Sequence, residues 1–218
     1  MFYGGNDLPD VSRSQALQET WPSVLARSHS VWQRSFTKNL LEITPRLLSG
    51  CRPNPSFEKR YGTVRDTDGQ VRRIYFGEHG RPLRPYELQA LEETGRLLRQ
   101  AYELCRRYDI RLVFVFIPTT FRVYAGLADL SEADEDVRSW VVNDLPERLK
   151  TMVAHISSEI PILDLTLPLQ AAAQRGVSVF LSDDSHWSAE GHQLAAEVID
   201  ETLARPANER TMPTSMSR

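Results

Sequence analysis

The run Leu112-Val113-Phe114-Val115-Phe116-Ile117 is apolar at every position. A strand with one face in water alternates apolar and polar residues, so an unbroken run predicts a strand buried on both faces. The residues before it read as a helix. Pro85 suits the first helical position, and Leu88, Leu91, Gly95, Leu98, Tyr102 and Cys105 recur at steps of three and four. Such spacing gives one apolar face. Arg106 and Arg107 fall in the last turn, where the helix dipole favours cations. A helix, a tight link over Tyr108–Ile110 and a doubly buried strand together predict a parallel sheet covered by helices.

The unit then repeats. Asn143 or Asp144 can cap a helix with Pro146 in its first turn and an apolar stripe of Leu149, Met152, Val153 and Ile156. Ile160–Leu165 follows as a second short buried strand. A brief helix over Leu167–Gln174 is expected to end at Arg175-Gly176, before an extended piece over Val177–Leu181. Ser188 is placed to cap a last helix whose core face is Leu194, Ala195, Val198, Ile199 and Leu203. Upstream, Ser28–Ile43 has helical spacing. Tyr61–Phe76 alternates around Asp66-Thr67-Asp68-Gly69, a hairpin pattern. Residues 13–85 read as an excursion from the core, and residues 206–218 as a disordered tail on a domain that spans residues 1–205.

Composition narrows the function. Of 218 residues, 41% are hydrophobic and 25% charged, values of a globular chain rather than a disordered one. The longest uncharged core-like run, Leu112–Phe121, falls far short of the ~20 residues that span a bilayer. A net charge of −3 leaves no electrostatic footprint for nucleic acid. Cys51 and Cys105 are too few for a disulfide framework or a zinc site. They read as two free thiols, with a single disulfide as the alternative.

Two segments could carry chemistry. Ser182-Asp183-Asp184-Ser185-His186-Trp187-Ser188 joins the extended piece to the last helix, a kind of junction that lines the ligand crevice in open α/β sheets. A carboxylate two or three residues before a histidine can hold its Nδ1–H and leave Nε2 as a general base. The plainer reading makes Asp183 a turn residue and His186 a loop histidine. A metal site on Asp183, Asp184, His186 and His192 is disfavoured, because the histidines are six apart and no cysteine joins them. The second segment is Gly4-Gly5-Asn6-Asp7. Its glycines allow close backbone approach, and the Asn6 amide can donate to an oxyanion. Taken alone, it is a simple Asn-Asp turn.

Together the two segments resemble sequence blocks of the SGNH (GDSL-type) hydrolase superfamily. Phe2-Tyr3-Gly4-Gly5-Asn6-Asp7-Leu8 is similar to its Gly-Asn-Asp block. Asp183-Asp184-Ser185-His186-Trp187 resembles the Asp-x-His-Trp of the alginate O-acetyltransferase-like branch, as does Val115-Phe116-Ile117-Pro118-Thr119 with Arg122-Val123-Tyr124. The resemblance implies a three-layer α/β/α flavodoxin-like fold with a parallel sheet. It implies ester hydrolysis or acyl transfer on a small-molecule or carbohydrate ester, with no cofactor. His186 is then the general base, Asp183 or Asp184 its orienting carboxylate, and Asn6 an oxyanion donor. Gly4, Trp187 and Arg122 fall on the substrate side.

The resemblance also exposes a departure. The family's nucleophilic serine lies in a Gly-Asp-Ser block, and no such sequence occurs here. The block is expected before the Asn segment, so the reading is of a domain whose first strands are missing, with Met1–Asp7 the middle of a longer protein. A chain without a nucleophile also admits a non-catalytic reading, a binding module with a polar crevice. Met1–Pro9 has no basic or apolar region of a signal peptide, whereas the resemblance implies an exported or membrane-anchored parent.

Overall fold

The computed structural model describes residues 2–4 and 60–204. The expected helix over 28–43, Asn6, Cys51 and the tail over 206–218 lie outside the described residues. Within them run β1 (Phe2–Tyr3), β2 (Tyr61–Arg65), β3 (Val71–Tyr75), α1 (Pro85–Arg107), β4 (Phe114–Ile117), α2 (Thr120–Tyr124), α3 (Glu135–Arg138), α4 (Leu145–Ile156), β5 (Ile162–Asp164), α5 (Thr166–Gln174) and α6 (Ala189–Ala204). The strands β1, β4 and β5 form a parallel sheet in the order β1-β4-β5. The strands β2 and β3 form an antiparallel hairpin.

The all-apolar run does what its pattern demands. Phe114 and Phe116 belong to a cluster with Leu91 of α1 and Leu145, Leu149 and Val153 of α4. Val115, between them, belongs to a second cluster with Leu165, Leu169, Phe180 and Ala195. Successive strand residues point to opposite faces, so β4 separates two helical layers: α1 and α4 on one side, α5 and α6 on the other. This is the α/β fold, with helices on both faces of a parallel sheet. Gly95 lets Met152 close against α1, since a Cβ there would sit 3.0 Å from its sulfur.

The hairpin forms with its turn at Asp66–Gly69. Asp66 accepts from the Asp68 and Gln70 amides, and Gly69 takes φ +77°. Its inner side is tied to the core. Ile74 and Phe76 are fully buried in the second cluster, so this end of the segment expected as an excursion packs with the sheet layers.

Several boundaries shift for physical reasons. β4 starts at Phe114 rather than Leu112 because the ladder begins there, with Phe114 opposite Ile162. The second strand covers only Ile162–Asp164 and is half-buried, at the border of the described sheet. Val177–Leu181 makes no strand. The Ser178 carbonyl accepts from the Ser188 hydroxyl and the Val179 carbonyl from the Ser188 amide, which leaves one bridge, Phe180 to Trp187. Leu203 is exposed rather than core. It lies at the end of α6, where Arg111 donates to the Thr202 and Leu203 carbonyls. α5 ends at Arg175-Gly176 as expected, with Gly176 at φ +83°. Cys105 is a free, half-buried thiol.

The start of α1 holds an ion pair that sequence patterning did not reveal. Glu87 is buried and accepts both guanidinium arms of Arg81, at 2.6 and 2.9 Å. It also takes the Arg84 amide at 2.7 Å, which caps the helix. Burial alone would raise the Glu87 carboxyl, but the bonds from Arg81 and Arg84 outweigh it and hold the group below its ordinary 4.5. A depressed carboxyl stabilises the fold above its unfolded value and loses that contribution as pH falls through the folded one. Glu87→Gln is expected to cost about 1–3 kcal/mol at pH 7, with the gap to the parent closing as pH drops below 4.5. Urea melts of both proteins across that range measure it.

Candidate active site

The carboxyl ends of β1 and β4 open onto one cavity of about 230 Å³. Gly4 follows β1, and its amide donates to the Ile117 carbonyl at 2.9 Å. Thr119 follows β4 and caps α2, its hydroxyl accepting from the Arg122 amide. Both line the cavity with Arg122, Asn143, Arg81 and His79. Two of the residues expected on the substrate side, Gly4 and Arg122, therefore share one wall.

Arg122 is partly committed. One terminal nitrogen donates to both the backbone and side-chain oxygens of Asn143, each at 2.6 Å. The Asn143 amide then donates to the Arg81 carbonyl at 3.1 Å, and Arg81 holds Glu87. This chain of bonds ties α2, the start of α4 and the start of α1 into a single wall. Burial pulls the Arg122 guanidinium below the usual arginine value, against the opposing fields of Glu147, Asp164 and Asp144. Asn143, legible in sequence only as a helix cap, is the centre of this network. Its partner Arg81 lies 62 residues away, and no local pattern signals such a contact.

The Asp-His segment forms a tight loop between Phe180 and α6. Its ends are pinned by backbone bonds, Leu181 N to His186 O at 2.9 Å and Ser188 N to Val179 O at 3.1 Å. Ser188 caps α6 as expected, accepting from the Gly191 amide at 3.1 Å. Within the loop, His186 Nδ1 donates to Asp184 Oδ1 at 2.7 Å. A carboxylate can only accept, so the proton of this bond sits on Nδ1, and in the neutral imidazole Nε2 is the nitrogen that carries none. The bond from His186 holds the Asp184 carboxyl below its ordinary 3.8. Asp183 is exposed and makes no hydrogen bond to the imidazole. The His186 side chain is 79% exposed.

Trp187 packs partly buried against the core, edge-on to His192 at 5.4 Å between ring centroids. Ser185 packs against Gly77, where a Cβ would come within 3.1 Å of its side chain. The next residues, Glu78 and His79, line the cavity, so the segment 77–79 joins the His186 loop to the cavity wall. His186, Asp184 and Trp187 themselves lie outside that lining. Among the described residues, no group of three or more His, Cys, Asp or Glu could hold a metal ion. No helix among them is long and apolar enough to cross a membrane.

Two outcomes follow. In His186→Ala, the Asp184 carboxyl is expected to titrate back towards 3.8, as read by NMR. Gly191→Ala places a Cβ 2.1 Å from the Val179 carbonyl oxygen. It is expected to cost more than about 2 kcal/mol and to lower Tm, because neither the helix start nor the loop can give way without breaking the Ser188 bonds.

Three curated relatives are each described as "Probable alginate O-acetylase AlgJ". The Pseudomonas fluorescens protein is 29% identical over 119 residues, 54% of this chain and 28% of the relative. The Pseudomonas putida protein is 26% identical over 117 residues, with the same coverage. This chain thus spans about a quarter of the length of the relatives it matches. The solved O-acetyltransferase domain of Pseudomonas putida AlgJ aligns with a TM-score of 0.45 and 22% identity, over 67% of this chain and 48% of that one. The family model described as "SGNH hydrolase-like domain, acetyltransferase AlgX" matches residues 76–216, from the end of the hairpin through the Asp-His loop and α6. The chain belongs to this SGNH hydrolase-like family.

Proposed function

We propose that this domain serves O-acyl transfer or ester hydrolysis on an acetylated carbohydrate, with His186 as general base. The observation that supports the reading is the 2.7 Å bond from His186 Nδ1 to Asp184, inside the span matched by the family. Asp184 orients the imidazole and stabilises the imidazolium that forms in the reaction. Asp183 is the alternative orienting carboxylate. Asn6 donates to the oxyanion, and Gly4, Arg122 and Trp187 lie on the substrate side.

The chemistry is that of an activated hydroxyl. Nε2 takes the proton of a serine hydroxyl as its oxygen attacks the acetyl carbonyl. The oxyanion collapses, Nε2 returns the proton to the leaving sugar oxygen, and the acetyl group stays on the serine. Water or an acceptor hydroxyl then removes it by the same steps in reverse. The serine is expected in a Gly-Asp-Ser block, a sequence these 218 residues do not contain. That observation favours the second reading, a non-catalytic binding module with a polar crevice.

One comparison separates the two. In a polypeptide that joins this domain to a Gly-Asp-Ser block, His186→Ala is expected to lower p-nitrophenyl acetate turnover by roughly 10⁴-fold or more. Asp184→Asn is expected to act in the same direction, and Asp183→Asn to leave kcat within about threefold. The 218-residue chain alone is expected to show no His186-dependent hydrolysis. Turnover that ignores His186 in the joined polypeptide would leave the binding module as the surviving reading.

A further inference from the structure

His79 lines the cavity, and its two ring nitrogens face opposite charges. Nε2 lies 2.9 Å from Nη2 of Arg60, the residue before β2. A guanidinium can only donate, so Nε2 is the bare nitrogen and the neutral ring carries its proton on Nδ1. Nδ1 faces Asp136 of α3 at 3.7 Å, beyond hydrogen-bond range. Asp136 accepts instead from Trp140 Nε1 at 3.2 Å. The Trp140 ring packs on the imidazole, 4.8 Å between centroids, and the Arg60 guanidinium sits 5.8 Å from the centre of the same indole.

The imidazole sits at a joint. The Arg60 carbonyl accepts from the Phe76 amide at 2.9 Å and closes the base of the hairpin. Gly77 packs against Ser185, and a Cβ on Gly80 would fall 2.3 Å from the Phe121 ring. The Gly80 carbonyl takes the Val141 amide at 2.8 Å. Residues 76–80 thus run from the hairpin, past the Asp-His loop, into the cavity wall, and His79 is where Arg60 holds them. The charged groups around the ring are Arg60 at the hairpin, Arg81 and Arg84 before α1, and Asp136 on α3, with Glu78 beside it in the lining. Burial and the three arginines hold the imidazole below its ordinary 6.5, against the pull of Asp136.

We propose that His79 is a proton-operated latch: neutral, it fastens the base of the hairpin to the cavity wall through Arg60, and protonated, it releases Arg60 and turns to Asp136. A proton on Nε2 sets N–H against N–H and cation against cation across the 2.9 Å contact. The same proton makes Asp136 an ion-pair partner for the ring. The latched state binds fewer protons than the released one. Latching is therefore fully favoured above 6.5 and is lost as pH falls below it through the folded value. Release loosens the wall beside Val141 and Val142, both half-exposed at the cavity. Access to the cavity then follows pH through a histidine that is separate from the Asp184–His186 pair.

NMR titration of the 218-residue chain reads the latch without any turnover. His79 is expected to titrate below 6.5, and the Trp140 indole N–H and the Gly77 amide to shift with the same midpoint. Protection of the Phe76 amide against hydrogen exchange is expected to fall at least about threefold between about pH 7 and pH 5. Arg60→Met removes both the donor and the charge, and is expected to raise the His79 midpoint. Asp136→Asn removes the partner of the protonated ring, and is expected to lower it. His79→Gln can accept from Arg60 at every pH. It is expected to hold Phe76 protection steady across the range and to abolish the shared midpoint at Trp140 and Gly77. Thermal melts at neutral pH establish that the variants are folded. Should the Gln variant fail to fold, Arg60→Met decides alone through the direction of the His79 midpoint. A parent midpoint at or above 6.5 would overturn the proposal. So would a midpoint that ignores Arg60→Met, or Phe76 protection that falls in His79→Gln as it does in the parent.

Discussion

Burial of β4 on both faces is the constraint from which the rest of the molecule follows. Phe114 and Phe116 are covered by α1 and α4, and Val115 by the layer that contains α5 and α6. A strand in that position has no face for water, so a helix must lie on each side of it, and its neighbours must connect to it by crossovers rather than by a tight turn. Each Phe contributes on the order of 1.5–3 kcal/mol by leaving water. The parallel pairing with β1 and β5 then satisfies the backbone that this burial would otherwise leave without water.

Parallel pairing has a second consequence. All strand carboxyl ends point the same way, so the loops after β1 and β4 meet at one end of the sheet. Gly4 and Thr119 come together there although they are far apart in sequence. The cavity wall is completed by bonds between polar groups, from Arg122 through Asn143 and Arg81 to Glu87. These groups are half-buried or buried, so each is costly to leave without a partner. Mutual satisfaction makes the wall one unit, and also limits what Arg122 can offer a ligand: one terminal nitrogen is spent on Asn143.

Legibility in the sequence follows from the range of the interaction. The all-apolar run at Leu112–Ile117, the three-and-four spacing of α1, the Ser188 cap and the Gly176 stop each depend on residues within about two turns of helix or one strand. These were readable. The Asp184–His186 bond is also local, yet spacing left Asp183 open, because loop geometry rather than sequence separation chooses between adjacent carboxylates. Val177–Leu181 has strand composition, but the Ser188 hydroxyl and amide take its carbonyls, a competition that composition does not record. The Arg122–Asn143–Arg81 network and the tie of Phe76 to the core join segments distant in sequence. They have no local signature.

The exposure of the His186–Asp184 pair shows where its order comes from. A hydrogen bond whose imidazole is 79% exposed contributes at most about 1 kcal/mol, too little to hold a loop in one shape. The loop is held instead by its backbone: Leu181 to His186, Ser188 to Val179, and the Ser188 hydroxyl to Ser178. Gly191 adds a contact so close that only glycine fits against the Val179 carbonyl. The imidazole is thus presented by the fold, and Asp184 sets which nitrogen carries the proton.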